Sequence, residues 1–148
     1  MSHDRWDSAV VYQIYWRSFM DANQDGIGDI EGLRSRIDHI QQLGIDAIWL
    51  NPTYPSPQGD HGYDVSDYFD VEPMFGSLGE FDQMIEDFHE RGIMVLMDIV
   101  PNHVSSHHEW FQSALSGGIG NTDEGRFIIR EGTGPGGANP PNDWISIF

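Results

Sequence analysis

The stretch that decides the fold is Gly92-Ile-Met-Val-Leu-Met-Asp98-Ile-Val-Pro-Asn-His103. Its first part is an apolar run that predicts a buried strand, and this run ends on the carboxylate of Asp98. Strands of a parallel α/β sheet are apolar almost throughout because helices cover both faces of the sheet. Polar groups that follow such a strand lie at the carboxyl edge, where α/β folds bind and transform ligands. The stretch therefore predicts where a functional site lies, without naming its reaction.

Two further strands are predicted before this one. They cover residues 9–14 and 45–50, and the third covers residues 93–97. The connections from helix to strand are short, whereas the two loops from strand to helix are about 15 and about 27 residues long. This asymmetry is typical of a parallel α/β fold whose active site is built on the βα loops.

Two amphipathic helices are predicted between the strands. Residues 30–43 have apolar side chains at helical spacing, and Gly44 follows as the terminating residue. The second helix begins after Ser77, which forms a predicted capping box with Glu80, and it ends before Gly92. The apolar positions of this second helix are Leu78, Phe81, Met84, Ile85 and Phe88.

Composition excludes several classes of protein. The chain has 148 residues, of which 39% are hydrophobic and 12% aromatic, so it can build a core and is not disordered by composition. Cysteine is absent, which excludes a disulfide framework and thiolate metal sites. The first residues lack the apolar region of a signal peptide, and no apolar run approaches the roughly 18 residues of a membrane span. We therefore expect a soluble, cytoplasmic protein with no membrane partner.

The charge balance is strongly acidic. The formal net charge is −17, from 24 acidic and 7 basic residues, and every basic residue is arginine. Such a surface repels nucleic acid, so no nucleic-acid partner is expected. High ionic strength would screen the self-repulsion, which leads to the hypothesis of a salt-adapted source. The alternative, an acidic enzyme from an ordinary source, stays open.

Residues 21–29 place oxygen ligands at alternate positions, a pattern that suits a hard cation such as Ca²⁺, with Mg²⁺ as the second choice. The candidate ligands are Asp21, Asn23, Asp25, the backbone carbonyl of Ile27, and Asp29. The loop departs from an EF-hand, because a strand precedes it and Gly32 stands where the closing glutamate would be. An acidic turn that leads into a helix is the alternative interpretation.

The second βα loop contains Asp60 and Tyr63, which could accept sugar hydroxyls and stack on a sugar face. A solvated turn would use the same residue types. Zinc is a weak alternative, because His103 and His107 could share a helix face but no His-Glu-x-x-His pattern is present. The pair of His107 and His108 is expected at the surface.

Taken together, these motifs resemble the α-amylase family of glycoside hydrolases, and they are most similar to its oligo-1,6-glucosidase and α-glucosidase branch. The motifs that carry the resemblance are residues 10–19, 25–29, 44–50, 62–68 and 98–103. The resemblance implies a (β/α)₈ TIM barrel with a subdomain inserted after strand 3. Residues 1–103 would be the first three βα units, and residues 104–148 would start the inserted subdomain. The expectation is the N-terminal part of a longer α/β protein.

The resemblance also implies roles for individual residues. Asp60 matches the residue that holds the non-reducing-end glucose, Tyr63 the aromatic platform beneath it, and His103 the histidine that hydrogen-bonds its 6-hydroxyl. Asp98 matches a supporting carboxylate on the floor of the site, and Asn102 a supporting residue of the same motif. The loop at residues 21–29 matches the structural cation loop of the family. The implied partners are an α-glucoside oligosaccharide and the remainder of the barrel.

The resemblance places the catalytic carboxylates beyond residue 148, so no catalytic residue is assigned here. It implies a retaining, exo-acting α-glucosidase, and this chain alone is expected to be inactive. Whether the bond cleaved is α-1,4 or α-1,6 is left open. Three alternatives remain: a trehalose or isomaltulose synthase, a non-catalytic relative, and a plain Ca²⁺-binding α/β module.

Overall fold

The computed structural model describes residues 6–117, 124–143 and 145. The chain divides into two compact units, Met1–His108 and Glu109–Phe148. The division lies close to the predicted boundary after residue 103, but the assignment of the second unit to an inserted subdomain stays a prediction.

The first unit is built on a parallel three-stranded sheet. Its strands are β1 (Val11–Ile14), β2 (Ala47–Leu50) and β3 (Met94–Met97), in the order β1-β2-β3. Ile14 is paired with Leu50, and Leu50 with Met97, so all three strands end at the same level. The prediction of three parallel strands is confirmed, although each strand begins one to two residues later than predicted.

The first predicted helix is interrupted. A short helix, α1 (Trp16–Phe19), follows β1, and the segment predicted as one helix forms α2 (Ile30–Arg34) and α3 (Ile37–Gln42). At the break, the Ser35 hydroxyl donates to the Gly32 carbonyl at 2.6 Å. Serine side chains compete in this way with the backbone hydrogen bonds of a helix. The prediction of one continuous helix was therefore wrong, and Leu43 is 48% exposed rather than part of the core.

The second predicted helix is confirmed as α4 (Leu78–Glu90). The Glu80 backbone N–H donates to the Ser77 hydroxyl at 3.3 Å, and the Ser77 N–H donates to the Glu80 carboxylate at 2.7 Å. Hydrogen bonds from the Ser77 hydroxyl and backbone lower the pKa of Glu80. Gly44 and Gly92 have φ angles of +71° and +73°, as expected for glycines that terminate helices.

The core lies on one face of the sheet. It joins Ile14, Ile48 and Leu50 of the strands to the apolar faces of α2, α3 and α4. The helix residues in this core are Ile30, Leu33, Ile37, Ile40, Phe81, Met84 and Phe88. The opposite face carries Gln13, Trp49 and Leu96 in register, and Trp49 is 37% exposed. Within the described residues, this second face of the sheet is covered less fully than the first.

The second unit contains α5 (Glu109–Gly117) and 3₁₀ turns at Glu124–Arg126 and Pro135–Gly137. The Arg126 guanidinium lies 4.7 Å from the centre of the Trp110 ring, and the rings of Phe111 and Phe127 pack edge to face at 5.3 Å. These contacts hold the helix against the first 3₁₀ turn. Across the described segments of the chain, no helix has the length and apolar character of a membrane span.

Few of the acidic side chains are neutralised by arginine. In the described residues, the ion pairs are Arg34 with Glu31 at 3.1 Å, Arg34 with Asp87 at 2.7 Å, and Arg91 with Asp38 at 3.4 Å. The hydrogen bond to Asp87 raises the pKa of Arg34, and the same bond lowers the pKa of Asp87. The acidic side chains therefore repel one another, as the net charge of −17 implies.

The melting temperature of the chain is expected to rise steadily between low and molar KCl, because salt screens this repulsion. Each kcal/mol gained should raise the melting temperature by about 4 °C. Circular dichroism melts at several KCl concentrations would measure the effect, with equal osmolality of trimethylamine N-oxide as the control for general osmolyte stabilisation. An unchanged or lower melting temperature in KCl would contradict the hypothesis of salt adaptation.

Candidate functional site

The candidate site lies at the carboxyl edge of the sheet. The residues that directly follow the three strands are Tyr15, Asn51 and Asp98, and the strand pairing places them side by side. The backbone ladder continues past the strand ends, because the Asn51 N–H donates to the Ile14 carbonyl at 3.2 Å and the Asp98 N–H donates to the Leu50 carbonyl at 3.1 Å. The backbone of the first residue after β2 and after β3 is therefore held by the sheet itself.

Asp98 accepts hydrogen bonds from two aromatic side chains. The indole N–H of Trp49 donates to Asp98 Oδ1 at 2.8 Å, and the Tyr63 hydroxyl donates to Asp98 Oδ2 at 2.7 Å. Asn51 Nδ2 donates to the Tyr63 hydroxyl oxygen at 3.0 Å, and Gln13 Nε2 donates to Asn51 Oδ1 at 3.3 Å. The residues that follow β2 and β3 thus bond to the Tyr63 hydroxyl, and Gln13 of β1 supports Asn51.

This network changes the acidity of Tyr63. Burial raises the pKa of the Tyr63 phenol, and the hydrogen bond to Asp98 raises it further, while the bond from Asn51 acts in the opposite direction. The hydroxyl therefore remains protonated well beyond neutral pH, and it keeps donating to Asp98. A neutral ring in a fixed orientation suits stacking on an apolar surface.

His103 is held by its neighbours on both ring nitrogens. Nε2 lies 3.0 Å from the Tyr63 carbonyl, which only accepts, so we assign the proton to Nε2. Nδ1 then accepts from Asn102 Nδ2 at 3.2 Å. The structure thus brings together Tyr63, His103 and Asn102, and it connects them to Asp98. A ligand hydroxyl that bonds to His103 would have to replace one of these two partners.

Asp60 lies in a loop that is wound around Asp64. The Asp64 carboxylate accepts from the Gly59 N–H at 2.9 Å, from the Asp60 N–H at 3.2 Å and from the Ser56 hydroxyl. Burial opposes ionisation of Asp64, but these hydrogen bonds outweigh it and lower its pKa. Among the described residues, no hydrogen bond engages the half-buried Asp60 carboxylate. Its charge is therefore available to a ligand.

The loop at residues 21–29 is folded by its own side chains. Asp21 accepts from the Gln24 N–H at 2.6 Å and from the Gly26 N–H at 2.8 Å, and Asp25 accepts from the Ile27 N–H at 2.8 Å. Asp29 accepts from the backbone N–H of Ala22, Asn23 and Gly32. The donor set of three carboxylates, one amide and one carbonyl has the chemistry of a hard-cation site.

Two metal sites were predicted from the sequence, a cation loop at residues 21–29 and, as a weak alternative, a zinc site at His103 and His107. Across the described parts of the chain, no group of three or more Asp, Glu or His side chains is arranged as a metal site. In the loop at residues 21–29, each carboxylate is turned toward backbone N–H groups, and a cation would have to bind the remaining lone pairs. The predicted helix face of His103 and His107 does not form, because α5 begins only at Glu109.

His108 corrects another expectation. His107 is exposed as predicted, but His108 is only 3% exposed, and its ring packs at 5.7 Å from the ring of Tyr68. The prediction of a surface position for His108 was therefore wrong. The aromatic contact, which joins residues far apart in sequence, explains the burial.

Several residues at this edge were not singled out from the sequence. Trp49 and Asn51 stand at the end of β2, and their position next to a strand end was the signal that could have identified them. Glu72 is only 8% exposed, and it accepts from the Ser56 N–H at 2.8 Å, which fixes the second βα loop. No local pattern marks Glu72, since its partner is distant in sequence.

Comparisons with known proteins place this architecture in a family. The family model described as "Alpha amylase, catalytic domain" matches residues 13–148. A probable α-glucosidase of Rhizobium meliloti is 46% identical over 98% of this chain, and an oligo-1,6-glucosidase of Parageobacillus thermoglucosidasius is 45% identical over 97% of it. This chain spans 26% and 25% of those two relatives, about a quarter of their length.

Solved structures give the same result. A trehalulose synthase mutant in complex with the substrate sucrose superimposes with a TM-score of 0.92 at 42% identity, covering 99% of this chain and 26% of that one. The trehalose-6-phosphate hydrolase of Bacillus licheniformis superimposes with a TM-score of 0.90 at 45% identity, covering 97% and 25%. The prediction of a partial (β/α)₈ TIM barrel is confirmed, and the chain belongs to the α-amylase catalytic-domain family of glycoside hydrolases.

Proposed function

We propose that this chain forms the glucose-holding part of a retaining, exo-acting α-glucosidase that hydrolyses short oligosaccharides. The observation that carries the proposal is the network at the sheet edge, in which Asp98 holds the Tyr63 hydroxyl. In the same loop, the Asp60 carboxylate accepts no hydrogen bond from the described residues. Relatives named α-glucosidase and oligo-1,6-glucosidase support it at the level of the family.

The proposed roles follow from the chemistry of the side chains. The Asp60 carboxylate accepts hydrogen bonds from two neighbouring hydroxyls of the terminal glucose, and the Tyr63 ring lies against its apolar face. His103 exchanges one of its protein partners for the 6-hydroxyl. Asp98 and Asn102 support this set, because they hold Tyr63 and His103 in place.

The chemical step is proposed for residues outside this chain. A retaining glycosidase uses two carboxylates about 5–5.5 Å apart, one as the nucleophile and one as the acid and base. The family resemblance assigns these to strands that follow residue 148. The residues described above therefore bind and orient the substrate, and none is assigned a proton transfer or a covalent step.

The test is turnover by the full-length protein, meaning the product of the complete reading frame that contains this sequence. We expect it to hydrolyse p-nitrophenyl α-glucoside and maltose or isomaltose. Asp60→Asn should lower kcat/KM by about 100-fold, since hydrogen bonds to a charged acceptor contribute about 1.5–3 kcal/mol each.

The matched control is Asp70→Asn, which removes the same charge from an exposed carboxylate whose hydrogen-bond donor among the described residues is the Val71 N–H. It should leave kcat/KM unchanged. The 148-residue chain alone should show no turnover. Turnover by this chain that Asp60→Asn abolishes, or an unaffected Asp60→Asn full-length enzyme, would refute the assignment.

A second candidate function is sucrose isomerisation. Structures of a trehalulose synthase, one in complex with sucrose, superimpose with TM-scores of 0.92 and 0.90. Incubation of the full-length protein with sucrose separates the two. Release of glucose and fructose supports hydrolysis, whereas an isomeric disaccharide supports a synthase. Binding of glucose without any turnover would instead indicate a non-catalytic relative.

We also propose that residues 21–29 bind Ca²⁺, or Mg²⁺ in its place, as a structural ion. The ligands would be the side chains of Asp21, Asn23, Asp25 and Asp29 and the carbonyl of Ile27. The donor set supports this, and so does the charge of three carboxylates in one short loop. The ion would fix the first βα loop, and it would take no part in the reaction.

Isothermal titration of the chain with Ca²⁺ and with Mg²⁺ measures this binding. At a free Ca²⁺ concentration about 100 times its Kd, the free energy of unfolding should rise by about 2.7 kcal/mol. Asp25→Asn keeps an acceptor for the Ile27 N–H but removes a charge, and it should weaken binding at least about tenfold. Asp70→Asn should bind as the wild type does. No heat and no thermal shift with either ion would exclude the site.

A further inference from the structure

Tyr15 and His61 form a contact that the proposed function leaves unused. The Tyr15 hydroxyl and His61 Nδ1 are hydrogen-bonded at 3.1 Å, and the two rings meet edge to face with their centres 6.3 Å apart. Forty-six positions separate them in sequence, so the bond joins two different βα loops. It links the end of β1 to the loop that carries Asp60.

The Tyr15 side of this contact is rigid. Tyr15 directly follows β1, and the next residue, Trp16, is only 2% exposed. The Trp16 indole N–H donates to the Asn51 carbonyl at 3.1 Å, which ties this segment to the end of β2. Tyr15 therefore projects from a fixed point at the carboxyl edge of the sheet.

The His61 side is part of a tight turn. His61 has a φ of +53° and Gly62 a φ of +96°, and both values are typical of the left-handed region. The turn contains Asp60 and is followed by Tyr63, whose N–H donates to the Asp60 carbonyl at 2.9 Å. The bond to Tyr15 thus acts on the residue directly after Asp60.

Two other groups of hydrogen bonds hold the turn. Asp64 holds the N–H groups of Gly59 and Asp60, and Asp98 holds the Tyr63 hydroxyl. Neither contact involves the side chain of His61. The hydrogen bond to Tyr15 is therefore an independent constraint on the orientation of the turn, and it comes from the first βα loop.

We propose that Tyr15 and His61 are positioning residues for the terminal glucose, because their hydrogen bond fixes the turn that presents the Asp60 carboxylate. The inference rests on the proposed function of Asp60. It predicts an effect on substrate binding rather than on the chemical step, since the catalytic carboxylates are assigned elsewhere.

The experiment uses three variants of the full-length enzyme. Tyr15→Phe removes the hydroxyl, and His61→Ala removes the ring. His61→Asn keeps a polar atom at the position of Nδ1, and asparagine tolerates a positive φ. Tyr15→Phe and His61→Ala should each raise KM about three- to tenfold with kcat changed less than about twofold, as expected for one lost hydrogen bond. His61→Asn should restore the wild-type KM.

A double variant and a control complete the test. Tyr15→Phe combined with His61→Ala should raise KM no more than His61→Ala alone, because both remove the same bond. Tyr12→Phe removes the hydroxyl of an exposed tyrosine that packs on Phe19, and it should have no effect. Unchanged KM in Tyr15→Phe and His61→Ala, in an enzyme whose kcat/KM falls as expected in Asp60→Asn, would overturn the inference while leaving the proposed function intact.

A second measurement does not depend on turnover. Hydrogen–deuterium exchange of the full-length protein should be faster at residues 58–63 in Tyr15→Phe and His61→Ala, and near the wild-type rate in His61→Asn. Equal exchange in all variants would refute the positional role, whether or not the protein proves to be an α-glucosidase.

Discussion

Gly32→Ala is expected to destabilise the chain by about 3 kcal/mol or more, a large share of the stability of a typical domain. A Cβ at this position would lie 2.0 Å from the Met20 carbonyl oxygen and 2.7 Å from its carbon. Both atoms belong to the backbone, so no side-chain rotation relieves the clash. The helix α2 would have to move away from the segment that follows α1, and the Gly32 N–H would lose its bond to Asp29, now 2.6 Å long.

Urea unfolding followed by circular dichroism measures this effect. The matched control is Gly79→Ala in α4, where an added Cβ meets no atom within 4 Å and φ is not in the left-handed region. Alanine favours a helix over glycine by up to about 1 kcal/mol, so this control should be neutral or stabilising. Equal stability of Gly32→Ala and the wild type would mean that α2 does not pack as closely as described.

Asp98→Asn is expected to lower kcat/KM of the full-length enzyme by about 100-fold, through misplacement of Tyr63. The asparagine keeps the size of the side chain but has one acceptor oxygen, whereas Asp98 accepts from both Trp49 and Tyr63. One of the two donors loses its acceptor. Because Tyr63 contributes its carbonyl to His103, the disturbance extends to a second proposed sugar contact.

The pKa of Tyr63 gives a readout that is independent of activity. Its folded-state pKa lies above the ordinary value of 10.0, so it stabilises the fold below that pH, and the stabilisation is lost as the pH rises through the folded-state pKa. Asp98→Asn removes the carboxylate that contributes to this shift, so the pKa of Tyr63 should fall toward its ordinary value. Ultraviolet difference titration of the tyrosines detects this change.

Asp67→Asn is the control for Asp98→Asn. Asp67 is exposed, lies in the same loop as Tyr63 and accepts the Phe69 N–H at 2.8 Å, which an asparagine oxygen can also do. It should leave both kcat/KM and the tyrosine titration unchanged. If Asp98→Asn behaved like Asp67→Asn, the network would have no role in holding Tyr63.

The elements that sequence predicts well are those with local causes. The capping box of Ser77 and Glu80 and the terminating glycines at 44 and 92 depend on residues within one helical turn, and all are confirmed. The position of the carboxyl edge after β3 is predictable because the apolar run of the strand ends at Asp98. The break between α2 and α3 was missed because apolar spacing continues through Ser35, while its hydroxyl competes for the Gly32 carbonyl.

The parts of the site that were missed depend on distant partners. The bond between Trp49 and Asp98 joins residues 49 positions apart, and the burial of His108 depends on the ring of Tyr68. Periodicity and local motifs do not encode such pairs. The proposed roles of Asp60, Tyr63 and His103 rest on side-chain chemistry and family resemblance, whereas the free carboxylate of Asp60 among the described residues is visible only in the folded loop.

The alignment of Ile14, Leu50 and Met97 at one level limits changes in the length of the strands. Neighbouring side chains of a strand point to opposite faces, so deleting one residue from β3 would turn Asp98 away from Tyr63 and toward the helices. A residue added to the second βα loop before Gly59 would instead lengthen the loop and leave the strands in place. Natural variants of this segment should therefore differ in the length of their loops and agree in the length of their strands.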